Sequence, residues 1–469
     1  MLKNIKHIHM IGVCGVGMGS LAGMLKSRGY RVSGSDQEVY PPMSDLLGEW
    51  GIQASPGYDA ARVDAADLVI IGNGISRGNP EAERALESRI PYRSMAQALY
   101  EFFLEGSEII AVAGTHGKTT TTALLAHILE TAGLSPSFFV GGVPKNYGSN
   151  FRLGEGRCFI IEGDEYDSAF FEKIPKVLVY RPHHLVLTSL EFDHADIYKN
   201  LDEIKLWFRR LVNIIPRNGR IVYSAEYPAL KEVLAGARAR TLSFGRGGDA
   251  ACRYETGPLS GESASLDVHS GGNGTLALRT GLMGDFNMAN IAAAVAMAEE
   301  LGVGRGAITR AVESFRGVKR RQELIYHKDN LRIYEDFAHH PTAIRGTCAA
   351  LRKRFPEARI WAVYEPRSAT SRRSVFQEEL ANAFRDADSV LVKSPYRLES
   401  IPENERIDIG RVIETMRGSG MDSHSFGDVE SIIAHIFSSM DKGKENVVLI
   451  MSNGEFDGIY GKMIERAGR

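Results

Sequence analysis

The stretch AVAGTHGKTTTTALLAHILE, Ala111–Glu130, sets two glycines, a lysine and four threonines between a strand-like apolar run and a helix-like one. A phosphate loop needs that order. Glycines let backbone N–H groups turn inward, a lysine meets the β- and γ-phosphates, and a hydroxyl takes a divalent metal ion. Gly114 and Gly117 would make the turn, Lys118 would supply the charge and Thr119 the metal hydroxyl, with Thr115, His116 and Thr120 completing the loop. A helix over Thr119–Thr131 would aim its N-terminal dipole at the anion. In the common spacing GxxxxGK[ST] the first glycine would fall at Val112, so this is the tighter form G-T-x-G-K-T.

A metal ion beside a phosphate also wants hard oxygen ligands. FIIEGDEYD puts Glu162 at the end of an apolar strand, with Asp164, Glu165 and Asp167 behind it. LTSLEFDHAD puts Asp193 and His194 after the next strand. Neighbouring strand ends of a parallel sheet open on one crevice, so these groups would face the loop. The plainer alternatives are a solvated strand end for Glu162 and a structural histidine for His194.

A second glycine cluster, GVCGVGMGS, follows the first strand, HIHMIG, and Asp36 ends the second strand, RVSGSD. Gly15 and Gly17 would approach phosphates, and Asp36 a ribose hydroxyl. The spacing G-x-x-G-x-G differs from the dinucleotide fingerprint and leaves two options. One is a nicotinamide-dependent oxidoreductase; the other is a site for another diphosphate, such as a UDP-sugar. A redox enzyme leaves the ATP-type loop unexplained. Two phosphate sites in succession suit an ATP-driven reaction on a nucleotide-linked substrate, whereas a nucleotide-binding module would bind ATP and turn nothing over.

The elements that must hold these residues form three segments. In the first, short strands (HIHMIG, RVSGSD, DLVIIGN) alternate with helices, Met18–Arg28 among them. The second runs from EIIAVAG through CFIIEGDE, HLVLTSLEFDH and RIVYSAE. It continues into a Gly- and Ser-rich stretch, about 251–287, patterned as β-hairpins, then helices near Asn287–Leu301 and Arg305–Phe315. The third repeats strand and helix, with strands at NLRIYEDF, ARIWAVYEP, DSVLVKSP and NVVLIMSNG. Strand–helix alternation implies parallel sheets. The expected fold is α/β with three domains: a Rossmann-like N-terminal domain (1–107), a central P-loop ATPase-like domain (108–317) and a Rossmann-like C-terminal domain (318–469).

Composition sets the outer bounds. A chain of 469 residues is too long for one core. Its 56 basic and 58 acidic side chains leave a net charge of −2, which speaks against a nucleic-acid coat or a polybasic membrane anchor. Four scattered cysteines (Cys14, Cys158, Cys252, Cys348) form no CxxC pair and fit a reducing cytosol. No apolar run reaches the roughly 18 residues of a membrane helix, and no cleavage site follows the first residues. A cytoplasmic protein, without nucleic-acid or membrane partners, is expected.

GTHGKTTTT, EGDEYDSAFF, LEFDHADIY, NMANIAAA, GVKRRQE and EDFAHHPTA occur in that order along the whole chain. The sequence thereby resembles the Mur ligases, the ATP-dependent amide-forming enzymes of peptidoglycan synthesis. GVCGVGMGSLAGML and NGISRGNPEAE resemble the branch acting on UDP-N-acetylmuramate. That branch has one member joining L-alanine in new synthesis and another joining recovered L-alanyl-γ-D-glutamyl-meso-diaminopimelate. SDQEVYPPMSDLL, EYDSAFFEK, AVYEPRSATS and IMSNGEFDGI resemble the tripeptide-joining member more closely, with the L-alanine ligase as the alternative.

The resemblance implies ATP with Mg²⁺ or Mn²⁺, UDP-N-acetylmuramate and a murein tripeptide as substrates, and a monomer. It also assigns roles. Lys118 would hold the β/γ-phosphates, Thr119 and Glu162 a Mg²⁺ ion, and His194 a second metal. Asn290 would contact adenine, Arg321 and His339 the phosphates, and Asp336 the ribose. Gly15, Gly17, Asp36 and Ser76 would hold the UDP moiety. Arg367, with Ser368 and Thr370, would bind a peptide carboxylate. Two departures stand out. Phe286 replaces the family's usual histidine before the first asparagine of the adenine motif, Asn287, and no lysine aligns with the carbamylated lysine of some relatives, Lys199 and Lys205 lying elsewhere. His339 and His340 together suggest a metal pair, but adjacent side chains after a strand diverge.

Overall fold

The computed structural model describes residues 5–41, 43–193, 195, 197–260, 263–271, 274–441 and 443–468. Three parallel-type sheets follow one another along the chain. The first contains β1 (His7–Ile11), β2 (Arg31–Asp36), β3 (Gln53–Pro56), β4 (Leu68–Ile71) and β5 (Tyr92–Ser94), all parallel, in the order β3-β2-β1-β4-β5. The order reverses between β1 and β4, which is where a doubly wound sheet opens a ligand crevice.

The middle sheet has ten strands: β6 (Glu108–Ala113), β7 (Ser137–Phe139), β8 (Phe151–Arg152), β9 (Cys158–Gly163), β12 (His184–Leu187), β13 (Arg220–Ser224), β14 (Arg240–Gly245), β15 (Cys252–Ser260), β16 (Ser263–Ser270) and β17 (Gly274–Thr280). A short hairpin, β10 (Asp167–Ala169) with β11 (Glu172–Pro175), interrupts it. The strand order is β17-β16-β15-β14-β13-β12-β6-β9-β7-β8. The expected hairpins are therefore an antiparallel meander, β15–β17, joined through β15 to the edge of the parallel sheet.

The last sheet runs β18-β19-β23-β20-β21-β22, made of β18 (Glu323–Lys328), β19 (Leu331–Asp336), β20 (Arg359–Tyr364), β21 (Ser389–Lys393), β22 (Asp422–Phe426) and β23 (Asn446–Met451). Only β18 is antiparallel, at one edge. The fold is α/β with three such units, as the alternation of strand and helix implies.

Two helices set the phosphate loop. Lys118–Thr131 follows β6 directly, and its residues from Thr119 to Leu129 are all buried. Asp285–Glu300 packs on it and on the sheet, and its buried alanines, Ala292, Ala293, Ala294, Ala296 and Ala298, keep the helix slim enough for both. Lys118–Thr131 begins one residue earlier than the sequence suggests, and Asp285–Glu300 two earlier. The other helix ends shift by no more than two residues, within the ordinary fraying of a helix terminus. No described helix is long and apolar enough to cross a membrane.

The first and middle sheets share one apolar core, running from Ile8 and Leu21 through Leu104 to Ala111, Phe159 and Leu187. Polar links stitch the same junction: Asn150 Nδ2 donates to Ser20 Oγ at 2.7 Å, and Glu172 accepts from Ser94 Oγ and Gln97 Nε2. The last sheet keeps separate cores on its two faces.

Candidate active site

The phosphate loop joins β6 to the helix Lys118–Thr131. Gly114 has φ +136°, and a Cβ there would sit 2.3 Å from Thr188 Oγ1. Gly117 has φ +84°, and a Cβ there would sit 2.2 Å from Asn290 Oδ1. Both positions demand glycine for conformation and for space. Asn290, in the helix Asp285–Glu300, thus lies directly on the loop and is steadied by a 3.1 Å bond from its Nδ2 to Asn287 Oδ1.

Lys118 Nζ donates to Gly114 O at 2.7 Å and to Glu165 Oε1 at 3.0 Å. Burial alone would lower its pKa, but Glu165, Asp164 and Glu162 together hold it above the ordinary value, so the ammonium stays charged. Thr119 Oγ1 donates to Glu162 Oε1 at 2.9 Å, and Gly141 N donates to Glu162 Oε2 at 2.7 Å. Burial and the nearby Asp164 push the Glu162 carboxyl up, and Lys118 pulls it down. A carboxylate whose burial already costs free energy, beside a hydroxyl at the end of β9, is a hard-oxygen pair that a dication would stabilise. Thr115 Oγ1 donates to Glu191 O, while Thr120 is buried in the first turn of the helix. His194 lies outside the described residues.

The C-terminal unit closes the crevice from the other side. Arg321 Nη2 reaches Thr119 Oγ1 at 3.3 Å, and its guanidinium lies 4.8 Å from the Phe337 ring centre. Arg320 is committed elsewhere, to Glu335 and to the carbonyls of Ser452 and Gly454. Arg320 and Gln322 both take positive φ, 60° and 47°, so the segment that carries Arg321 is locally strained. Asp336, at the end of β19, accepts from Gln322 N and Ala338 N, both at 2.7 Å, and burial raises its pKa. Its carboxylate shapes this turn. Gln322 Oε1 takes a 3.2 Å bond from Asn287, and its buried Nε2 has no protein partner. Phe286 lies against Gly346 of the helix Pro341–Arg354, filling the seam between the two domains.

The two histidines after β19 make different contacts. His339 Nδ1 pairs with Phe337 O at 3.0 Å, and the side chain lines a small cavity with Asp193, Tyr364, Ser368 and Thr370. It is His340 whose ring lies 4.9 Å from that of His116 in the phosphate loop. His340 caps the helix Pro341–Arg354, accepting from Thr342 N at 3.2 Å, and this turns its ring toward the middle domain. There Glu191, absent from the sequence-derived set, takes a 3.0 Å bond from His116 Nε2 and lies 4.0 Å from His340 Nδ1. Burial would raise the Glu191 pKa, but the His116 bond brings it below the ordinary value. Burial, with His116 beside it, holds His340 down to about 4.

At the N-terminal crevice Gly15 caps the helix Val16–Ser27. Gly17 lies under Met95: a Cβ there would come 2.9 Å from Met95 Cε, the mobile end of that side chain. Asp36 Oδ2 accepts from Cys14 N at 2.8 Å and Oδ1 from Gln37 N at 2.8 Å, so the carboxylate braces the glycine loop. Ser76 is exposed in the loop after β4, beside that glycine loop, where Gly72 N donates to Ile11 O. Beneath them Glu81, fully buried, accepts from His9, Ser35, Asp59 N and Arg62, tying three elements together.

At the ends of β20, β21 and β23 lies a mixed-charge group. Arg367 stacks 4.0 Å from the Tyr396 ring centre and 3.6 Å from fully buried Glu365. Lys393 bridges Glu365 at 3.5 Å and Asp457 at 2.6 Å. A Cβ on Gly454 would come 2.1 Å from Arg367 Nε, so glycine makes room for the guanidinium. Ser368 and Thr370 both make hydrogen bonds close to Arg367 in sequence. Ser368 Oγ bonds Ser371 in a local turn, and Thr370 Oγ1 accepts from Ala195 N of the middle domain at 3.1 Å.

Comparison with known proteins matches three family models in succession. These are the Mur ligase family catalytic domain over residues 7–106, the Mur ligase middle domain over 112–298 and the Mur ligase glutamate ligase domain over 320–454. The chain is 40% identical to the UDP-N-acetylmuramate–L-alanyl-γ-D-glutamyl-meso-2,6-diaminoheptandioate ligase of Escherichia coli K12, covering 98% of this chain and 97% of that one. It is 31% identical to the UDP-N-acetylmuramate–L-alanine ligase of Clostridium tetani, covering 97% of both. Among solved structures it resembles a murein peptide ligase of Psychrobacter arcticus, with TM-score 0.74, 34% identity and 99% of each chain covered.

Proposed function

The chain belongs to the Mur ligase family, and on that premise we propose that it joins UDP-N-acetylmuramate to the tripeptide L-alanyl-γ-D-glutamyl-meso-diaminopimelate at the expense of ATP. Identity of 40% to a tripeptide ligase against 31% to an L-alanine ligase supports the tripeptide over L-alanine as the amine substrate. The observation that carries the reading is the meeting of Lys118, Thr119 and Glu162 with Arg321 in one crevice, four groups from two domains arranged for a nucleotide triphosphate.

The chemistry follows from what an unactivated carboxylate lacks, a leaving group. The lactyl carboxylate attacks the γ-phosphorus of ATP, ADP departs and an acyl phosphate forms. The tripeptide amine attacks the acyl carbon, loses a proton, and phosphate leaves as the C–N bond closes. The first step brings two anions together, so positive charge and position must come from the protein. Lys118 and Arg321 supply it. Thr119 and Glu162 are the residues that would hold Mg²⁺, whose contribution when bound is to neutralise the phosphate oxygens. Asn290 and Asp336 flank the nucleotide, and the loops after β1 and β4, with Gly15, Asp36 and Ser76, receive the UDP moiety. The mixed-charge group around Arg367 and Asp457 suits a peptide end that carries both carboxylate and ammonium. One chain holds every part, so a monomer suffices, and an ATP-consuming enzyme with four free cysteines fits the cytoplasm.

Phosphate release from ATP and Mg²⁺ with UDP-N-acetylmuramate, comparing the tripeptide with L-alanine, tests this. Turnover with the tripeptide and little with L-alanine is expected. The reverse preference would make the protein the L-alanine ligase instead.

A further inference from the structure

Glu191 and His340 belong to none of the roles above and His116 only completes the phosphate loop, yet the three converge. His116 is in the phosphate loop, Glu191 in the segment after β12, and His340 on the C-terminal domain. Each offers one ligand atom, and the three atoms all lie within 4.8 Å of one another. Glu191 Oε2 is 3.0 Å from His116 Nε2 and 4.0 Å from His340 Nδ1. Ligand bonds of about 2.0–2.1 Å at tetrahedral angles set ligand atoms about 3.3–3.4 Å apart, so Glu191 and His116 already stand near that spacing and His340 Nδ1 must move in by about an ångström.

The surroundings favour metal ligation over a bare hydrogen bond. His340 Nε2 donates to Phe192 O at 3.3 Å, so Nδ1, the atom facing Glu191, carries the lone pair, which accepts from Thr342 N at 3.2 Å and which a cation would take over. A backbone carbonyl fixing the far nitrogen in this way is the usual support for a ligating histidine. His340 is 7% exposed, so little water competes. Two imidazole nitrogens and one carboxylate oxygen suit a borderline cation such as Zn²⁺ and not Mg²⁺, which demands oxygen.

We propose that His116, Glu191 and His340 form a binding site for a borderline divalent cation of the Zn²⁺ class, separate from the Thr119–Glu162 pair, that ties the middle and C-terminal domains together. Occupancy clamps the two domains in the docked arrangement. Given the ligase reading, it also slows turnover by resisting reopening; the binding itself does not depend on that reading.

The test is Zn²⁺ titration of the whole protein against a chromogenic zinc chelator in excess Mg²⁺, with melting temperatures recorded alongside. His340→Asn is the informative variant, because asparagine still caps the helix Pro341–Arg354 while the imidazole is gone. Wild type should bind one equivalent that His340→Asn weakens at least about tenfold, a loss of roughly 1.4 kcal/mol, without a lower melting temperature. If that variant melts early, Glu191→Gln, which keeps the bond to His116 but loses the charge, should weaken binding in its place. Glu162→Gln and His194→Ala should leave the equivalent intact, and X-ray absorption of the zinc complex should report two imidazole ligands. Equal affinity in wild type, His340→Asn and Glu191→Gln, or loss of the site in Glu162→Gln or His194→Ala, overturns the proposal.

Discussion

Gly117 concentrates much of the site's logic in one position. Its φ of +84° favours glycine, and the Asn290 amide fills the space where a Cβ would go. Gly117→Ala should therefore act twice, through about 1–3 kcal/mol of backbone strain and by pushing Asn290 off the loop. ATP affinity should fall by roughly tenfold or more with the melting temperature only slightly lower, as a calorimetric titration and a thermal scan would record together. Arg367 makes a second case. Truncation to alanine removes a guanidinium held by Tyr396 and Glu365, and should raise the tripeptide KM about 10- to 100-fold with the ATP KM little changed. An unchanged tripeptide KM would take Arg367 out of the peptide site. Glycines, Lys118, Thr119 and Glu162 were legible in the sequence because a phosphate loop uses neighbours in sequence and one strand end. Glu191 was not, because its partner His340 comes from another domain, and only the helix cap decides which of two adjacent histidines turns inward. The buried Glu81 was equally silent, since nothing local distinguishes it from the surface glutamates beside it.

Elements were more legible than their pairings. Apolar runs such as EIIAVA and NVVLIM gave strands where strands lie, and the alternation with helices gave parallel sheets. What the runs do not encode is the edge: β7, β8, β18 and the β10–β11 hairpin are short or weakly patterned, and they form because a neighbour offers free backbone groups. Besides Lys118, the helix Lys118–Thr131 carries His127 into the interior. His127 bonds Tyr147 OH at 2.9 Å and Ser314 Oγ at 3.0 Å, and burial lowers its pKa below the ordinary 6.5. A histidine with a lowered folded pKa binds fewer protons folded than unfolded. Its neutral form thus leaves stability intact above about pH 6.5, and stability drains away as pH falls below that, by at most about 1.4 kcal/mol per pH unit. His127→Gln keeps a donor and an acceptor but takes no proton. Between pH 7.5 and 5.5 its melting temperature should consequently fall less than that of wild type, and parallel curves would mean that other groups set the acid limit.

At the scale of the molecule, the two junctions between units differ in kind. The N-terminal and middle domains share a continuous apolar core, which resists sliding. The C-terminal domain meets the middle one through a mixed seam, polar at Ala195 N with Thr370, Arg321 with Thr119, His340 with Phe192 O and Lys145 with Glu323, and apolar at Phe192 with Phe376 and Phe286 with Gly346. Such an interface can release and re-form, and the connecting segment carries positive φ at Gly317, Arg320 and Gln322, where backbone change concentrates. On the proposed reading nucleotide groups come from both sides, so docking would assemble the site and shield an acyl phosphate from water, and release of ADP and product would need the domains apart. Ala195 N and Thr370 Oγ1 are 3.1 Å apart, which brings paired cysteines at these positions within reach of a disulfide. Ala195→Cys combined with Thr370→Cys should show a shape by small-angle scattering that no longer responds to ATP and UDP-N-acetylmuramate once oxidised. Turnover of the oxidised form should fall at least about tenfold below that of the same protein after reduction, since a locked C-terminal domain blocks the release step that limits many such enzymes. Equal turnover before and after reduction, with the cross-link verified by mass, would mean that the cycle runs without opening, and the junction would then serve only to align the two halves of the nucleotide site.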